Sequence, residues 1–471
     1  MSTHASRLHS LRRLAFSLLA GSIFTTITAA AGSPRVHETL DFGWRFLQGD
    51  APEATNAAFN DSGWRTVDVP HDWSIEGDFN RTNAMSAASG YLPSGIGWYR
   101  QTITAPPAWS GKRVMVEFEG VYMNADVWLN GEHLGFHPYG YNYALRNAPA
   151  DHTRAPSHII VCTESLPRAT FESWSHVHDE SYVIGDFVWT AIDYIGEAAI
   201  GRYSYSTDTN TANRGFGGRT TQLYPWNGSF CGDLDLAGFR KPISHYRNII
   251  FERGEKLYMA VREPEINGRT IRLGNNWSLW PMSENWTWPG LEGTNISVEV
   301  YSTAEKVQLY LNDKLIGEQP TTRTQQFMAT FKVPYAPGKL RAVALQNGRK
   351  IADQVLATTG DAARIKLTPD HTTIAADGQD LSYVTVEVTD KSGQRQPNAD
   401  QLIHFSISGP GVIAGVDNGS DRSEERYQAD QRSVWQGRAL VVVRSTKAGG
   451  RIQLTAFAPG LANATVTIRS R

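Results

Sequence analysis

The segment VCTESLPRATFESWSHVHDESYVIGDFVWTAIDYIGEAAIG, residues 161–201, limits the fold more than any other part of this chain. Two short apolar runs, IIVCTE and YVIGDFVW, read as strands, and the stretch between them, PRATFESWSHVH, is compatible with a helix. The runs end in Glu164 and Trp189. Strand, helix and strand with functional groups at the strand ends is how a (β/α) barrel presents a catalytic face. One carboxylate and one aromatic ring at such ends suggest sugar chemistry. Taken alone, Glu164 reads as an ordinary solvated strand-end residue, and Trp189 as barrel packing.

The bulk numbers narrow the classes. With 471 residues the chain is long enough for three or four domains. Its 45 basic and 47 acidic residues leave a net charge of -2, so the basic face of a nucleic-acid binder is not expected. Arg7, Arg12 and Arg13, the apolar run LAFSLLAGSIF and the small-residue stretch TAAAG read as a secretory signal peptide over residues 1–31. The mature protein is then expected in the periplasm or outside the cell, off the membrane. Its two cysteines, Cys162 and Cys231, are expected to be reduced and buried. No Cys or His spacing matches a zinc site, no cofactor is expected and no residue is assigned as a metal ligand, with metal dependence left open.

The flanking sequence alternates in the manner of sheets. Runs such as RVMVEFEG and NADVWLNGEHLGF, the second with Asn130-Gly131 between apolar stretches, predict antiparallel hairpins. LYLNDKLIG, residues 309–317, repeats the same hairpin solution. Trp277, Trp280, Trp286 and Trp288 read as cover for one face of a sandwich, with a sugar platform as the other reading. From Asp361 the alternation with Asp-Gly and Ser-Gly turns predicts a seven-strand-like immunoglobulin-type sandwich. Residues 204–218 are polar and Gly-rich and read as a loop, and FRKPISHYRNIIF predicts a helix.

Several blocks resemble glycoside hydrolase family 2, the β-galactosidase and β-glucuronidase family. FGWRF, VPHDWSIEGDF, GIGWYR and VWLNGEHLG resemble its N-terminal sugar-binding jelly roll. Thr163-Glu164-Ser165 and FVWTAIDYIGE resemble the end of its catalytic barrel, and WTWPGLEG through LYLNDKLIG a sandwich that follows it. The resemblance implies that Glu164 is the nucleophile, that Trp189 lines the sugar pocket, and that Asn142 and Tyr143 touch sugar or nucleophile. Asp193 and Glu197 are expected to be hydrogen-bond or salt-bridge partners.

The family pattern breaks at Gly140-Tyr141, where jelly-roll sequence meets late-barrel sequence. Residues 141–250 then supply less than half of the about 250 residues of a complete barrel. The expected fold is mostly β: a jelly-roll-like sandwich over 32–140, a partial (β/α) barrel over 141–250, a sandwich over 251–360 and an immunoglobulin-like domain over 361–471. The family's acid/base residue is the Glu of an Asn-Glu pair, and no Asn in this chain precedes Glu. The implied activity is retaining hydrolysis of terminal β-glycosides, severely impaired. Galactosides are expected over glucuronides because no lysine-based carboxylate-binding motif is found. The readings left open are a non-catalytic carbohydrate-binding exported protein and a gene-deletion remnant.

Overall fold

A computed structural model of the chain describes residues 38–112, 114–116, 118, 124–137, 159–198, 200–207, 224–265 and 268–471. The predicted signal segment, the Gly140-Tyr141 junction, Asn142 and Tyr143 lie outside the described residues. The chain is mostly β, and no helix among the described residues is long and apolar enough to cross a membrane.

The N-terminal part holds a three-stranded antiparallel sheet, with Trp44–Gln48 between Arg65–Val67 and Gly97–Arg100. A separate hairpin pairs Ala125–Leu129 with Glu132–His137. Its turn residues Asn130 and Gly131 have φ of 51° and 90°. Positive φ at both central residues matches the right-handed twist of the strands, which is why Asn-Gly predicts this turn. Asn312 and Asp313, at φ 51° and 62°, make the same turn between Lys306–Leu311 and Lys314–Pro320.

The α/β part is built on two parallel strands, Ile160–Ser165 and Val183–Val188, joined through the helix Thr170–Asp179. A second helix, Pro242–Ile250, packs Ile243, Tyr246, Ile249 and Ile250 against Trp174 of the first. No described strand extends this pair into a closed barrel. Parallel strands normally have both faces covered. Here Ile184 and Phe187 are 67% and 66% exposed, beside Ile159 at 70%, so among the described residues the pair carries uncovered apolar surface. Ser204 and Tyr205, read as the start of a loop, belong instead to the strand Tyr203–Tyr205, which pairs with Ile271–Leu273.

Two four-stranded sheets follow. One runs Met282–Ser283, Tyr258–Arg262, Asn295–Tyr301, Met328–Pro334, and the other Lys314–Pro320, Lys306–Leu311, Lys339–Gln346, Arg349–Ala357. Alternate residues of Met328–Pro334 point inward, as a half-buried strand requires. Val298, Val307, Leu309, Val333 and Leu340 are fully buried between the sheets. Trp286 sits inside this core at 1% exposure, donates Nε1–H to Ala336 O at 3.2 Å, and meets the Tyr335 ring at 5.1 Å. Trp288 packs beside it, whereas Trp280 joins the aromatic cluster of Tyr91, Tyr203 and Trp226. Trp280, Trp286 and Trp288 therefore serve two cores and form no single face. Trp286→Ala should destabilise the sandwich by about 3–5 kcal/mol, read from the urea midpoint, because it removes both volume and a satisfied donor.

The C-terminal sandwich has sheets of four and five strands, more than the seven expected. The five-stranded sheet includes the short Thr373–Ile374 and Gln431–Ser433. Arg438–Ser445 alternates buried and half-buried residues, turning Ala439, Val441 and Val443 inward. The long connection after Gly411–Asp417 leaves this sandwich and contacts the α/β part. There Arg422 donates to the Tyr203 hydroxyl at 2.7 Å and lies over the Tyr203 and Trp226 rings.

Candidate functional site

Glu164 occupies the C-terminal end of the first parallel strand, and Trp189 directly follows the end of the second. Two bonds hold these ends in register. Trp189 N–H donates to Ser165 O at 3.0 Å, and the Ser165 hydroxyl donates to Asp186 Oδ2 at 2.7 Å. Glu164 is half-buried. Burial, then the negative charge of Glu197, push its carboxyl above the ordinary glutamate value.

Glu197 reaches this surroundings through an aromatic relay. Trp189 Nε1–H donates to the Tyr194 hydroxyl at 3.2 Å, and that hydroxyl donates to Glu197 Oε2. The two rings meet edge to face, 6.1 Å apart. Burial and the bond to Glu197 push the Tyr194 phenol far above its usual range, so it stays a donor. Glu197 itself has φ +47°, a left-handed backbone that is uncommon for this residue type and aims its side chain back toward Tyr194.

Glu164, Trp189, Tyr194 and Glu197 are thus one constellation. Sequence reasoning missed Tyr194. The signal available was its position between Trp189 and Glu197 in a segment already assigned to the site. Asp193 belongs elsewhere, in a buried pair. Lys241 Nζ lies 2.8 Å from both of its carboxyl oxygens, Gly232 N donates at 2.6 Å, and the Lys241 ammonium sits 3.9 Å from the centre of the Phe230 ring. Burial still pushes the Asp193 carboxyl up to about 6, with Lys241 pulling in the other direction.

Cys162 and Cys231 are free thiols. Cys231 is fully buried, whereas Cys162 is half-buried, less covered than expected, and donates to Glu164 O at 3.3 Å. Burial raises both thiols, which keeps them protonated and unreactive. Among the described residues no group of three or more His, Cys, Asp and Glu side chains is placed to hold a metal ion.

Chemically, the site offers one positioned half-buried carboxylate beside a ring of the size that stacks on the apolar face of a sugar. The second carboxyl felt by Glu164 accepts a hydrogen bond from a phenol.

The comparisons with known proteins agree with this composition. The family described as Glycoside hydrolase family 2 C-terminal domain 5 matches residues 365–467, and a domain of unknown function, DUF4982, matches residues 293–352. Beta-galactosidase BoGH2A of Bacteroides ovatus is 32% identical over 322 residues, covering 68% of this chain and 32% of the relative. A protein named beta-glucuronidase from Formosa agariphila is 32% identical over 183 residues, 38% of this chain and 18% of that one. A solved glycosyl hydrolase family 2 member from Bacteroides cellulosilyticus superposes with a TM-score of 0.63 at 37% identity, over 70% of this chain and 42% of that chain. The chain therefore spans about a third of the length of the Bacteroides ovatus relative.

Proposed function

We propose that this chain, which matches a glycoside hydrolase family 2 C-terminal domain and resembles family 2 relatives over about two thirds of its length, carries the nucleophile half of a retaining β-glycosidase site, exported from the cytoplasm and directed at terminal β-galactosides. Glu164 is the attacking carboxylate and Trp189 the sugar platform, with Asn142 and Tyr143 as further sugar contacts. The observation that carries this reading is the placement of Glu164 and Trp189 at the ends of adjacent parallel strands, tied together by the Trp189 N–Ser165 O bond of 3.0 Å.

In the first step a Glu164 oxygen attacks the anomeric carbon, the bond to the leaving oxygen breaks, and a glycosyl ester forms. The leaving oxygen takes a proton from a second carboxyl about 5–5.5 Å from the first. The family supplies that proton from an Asn-Glu pair, and this chain has none. The first step is therefore supported for substrates whose leaving group departs as an anion, and severely slowed for others. A non-catalytic carbohydrate-binding role is the second reading, favoured by that same missing pair.

Trapping with a 2-fluoro β-galactoside bearing a good leaving group tests the proposal. Mass spectrometry should find one added sugar on the peptide containing Glu164, and none in Glu164→Gln. Since the ionised form attacks and the carboxyl is held above its usual value, the labelling rate should climb with pH through a limb above the ordinary glutamate range. Sugar binding that survives Glu164→Ala unchanged, with no label in the parent protein, would establish the second reading instead.

A further inference from the structure

We propose that Asp421 is a neutral, proton-bearing clasp that docks the C-terminal sandwich onto the ribbon carrying Tyr194. Asp421 lies in the connection between Gly411–Asp417 and Gln431–Ser433, at 2% exposure. The ribbon pairs Tyr194–Ile195 with Gly228–Ser229. Around it the docking is close and specific. Asn227 N donates to Asp421 O at 2.8 Å, and Asn227 Nδ2 donates to Ser423 O at 2.6 Å. Asn227 O in turn accepts from Gly196 N at 2.9 Å, next to Glu197. Gly228 is required here, because a Cβ on it would come within 2.6 Å of Asp421 Oδ1 and 2.9 Å of Tyr194 O. The carboxyl is thus pressed against the ribbon's backbone, and one of its oxygens and the Tyr194 carbonyl converge on the same point.

Neither Asp421 carboxyl oxygen receives a hydrogen bond from a described residue. The cations nearby are already engaged. Lys241 holds Asp193, Arg438 lies 3.4 Å from Asp235, and Arg432 holds Asp417. Arg422, the next residue, turns its guanidinium to the Tyr203 hydroxyl. The other titratable groups that act on this carboxyl or feel it are the Cys231 thiol and the Tyr203 and Tyr427 phenols, all held protonated by burial. An ionised carboxylate, which can only accept, would be buried here without a single donor. A protonated one is neutral and brings a donor of its own into this contact. Burial and the negative charge of Asp193 act in the same direction, raising the Asp421 carboxyl well above the aspartate range. For a group raised in the folded state, the stabilisation is complete below the unfolded value and is lost as pH rises through the folded value.

Hydrogen exchange of the full chain followed by mass spectrometry tests the clasp, independently of whether Glu164 reacts with sugar. After correction for the intrinsic rate, protection of peptides covering 194–198 and 226–231 should fall in the parent protein as pH rises from 6 to 9, about tenfold for each unit below the folded value of the carboxyl and levelling off above it. Asp421→Asn keeps a neutral donor and should stay protected at both pH values, whereas Asp421→Ala should be exposed at both. Three results would overturn the proposal: protection in the parent that does not change with pH, Asp421→Asn as exposed as Asp421→Ala at pH 6, or protection at pH 9 restored by sodium or magnesium chloride in the parent only. The last would assign the carboxyl to a cation.

Discussion

A 2,4-dinitrophenyl β-galactoside should be consumed by this chain far faster than a methyl β-galactoside. The gap in kcat/KM should exceed that of a family member with both carboxyls by about 10²–10⁴-fold, the usual contribution of a positioned proton donor. Dinitrophenolate leaves as a stable anion, so with Glu164 in its proposed role breaking that bond needs only the attack of the carboxylate. Methoxide does not, and the Asn-Glu pair that would protonate it is absent from the sequence. Tyr194 is no substitute, since burial and Glu197 hold its phenol far above its normal value. Glu197 Oε2 is engaged as the acceptor of that phenol.

The missing residue also acts as base in the second step of the retaining mechanism. Dinitrophenyl substrate should accordingly release one equivalent of phenolate in a burst, followed by slow turnover that azide, a nucleophile needing no base, accelerates. Equal kcat/KM for the two glycosides would show that another acid serves the leaving group. Glu197→Gln then becomes informative. Removing its charge should shift the pH limb of Glu164 labelling downward, because Glu197 is one of the two causes holding that limb high.

What the sequence made legible was what local pattern encodes. Apolar runs bounded by a helix-compatible segment led to the strands Ile160–Ser165 and Val183–Val188 and the helix Thr170–Asp179, and so to Glu164 and Trp189 at their ends. The Asn130-Gly131 turn and the alternation of Arg438–Ser445 were equally readable. Contacts between side chains were not. Asp193 and Glu197 looked alike in sequence, four residues apart on one irregular segment, yet one faces Lys241 in the interior and the other faces Tyr194. The left-handed backbone at Glu197 separates them, and nothing in the residue type announces it. The bond from Asn227 to Ser423 joins residues 196 apart, beyond the reach of any periodicity. The apolar exposure of Ile184 and Phe187 was foreshadowed by a partial barrel, but it is visible only once both strands are placed.

Lys241→Met should be the most damaging single substitution in the α/β part. It should lower stability by about 3–5 kcal/mol at pH 7.5, because it leaves the charge of Asp193 buried with no counter-ion. The Asp193 side chain is fully buried, and its remaining partner among the described residues is Gly232 N at 2.6 Å. The ammonium also contributes through its contact with the Phe230 ring at 3.9 Å, which methionine replaces only as an apolar contact. The loss should shrink as pH falls. Asp193 already titrates at about 6 with Lys241 in place, and without it the carboxyl takes up its proton at still higher pH, so at pH 5 the variant buries a neutral acid. Urea midpoints at pH 5 and 7.5 read the difference directly. Asp193→Leu combined with Lys241→Met should recover most of the loss at pH 7.5, since replacing both members of a buried pair is far less costly than removing one. A loss that is the same at both pH values would mean that Lys241 stabilises by packing on Phe230 and not by charge.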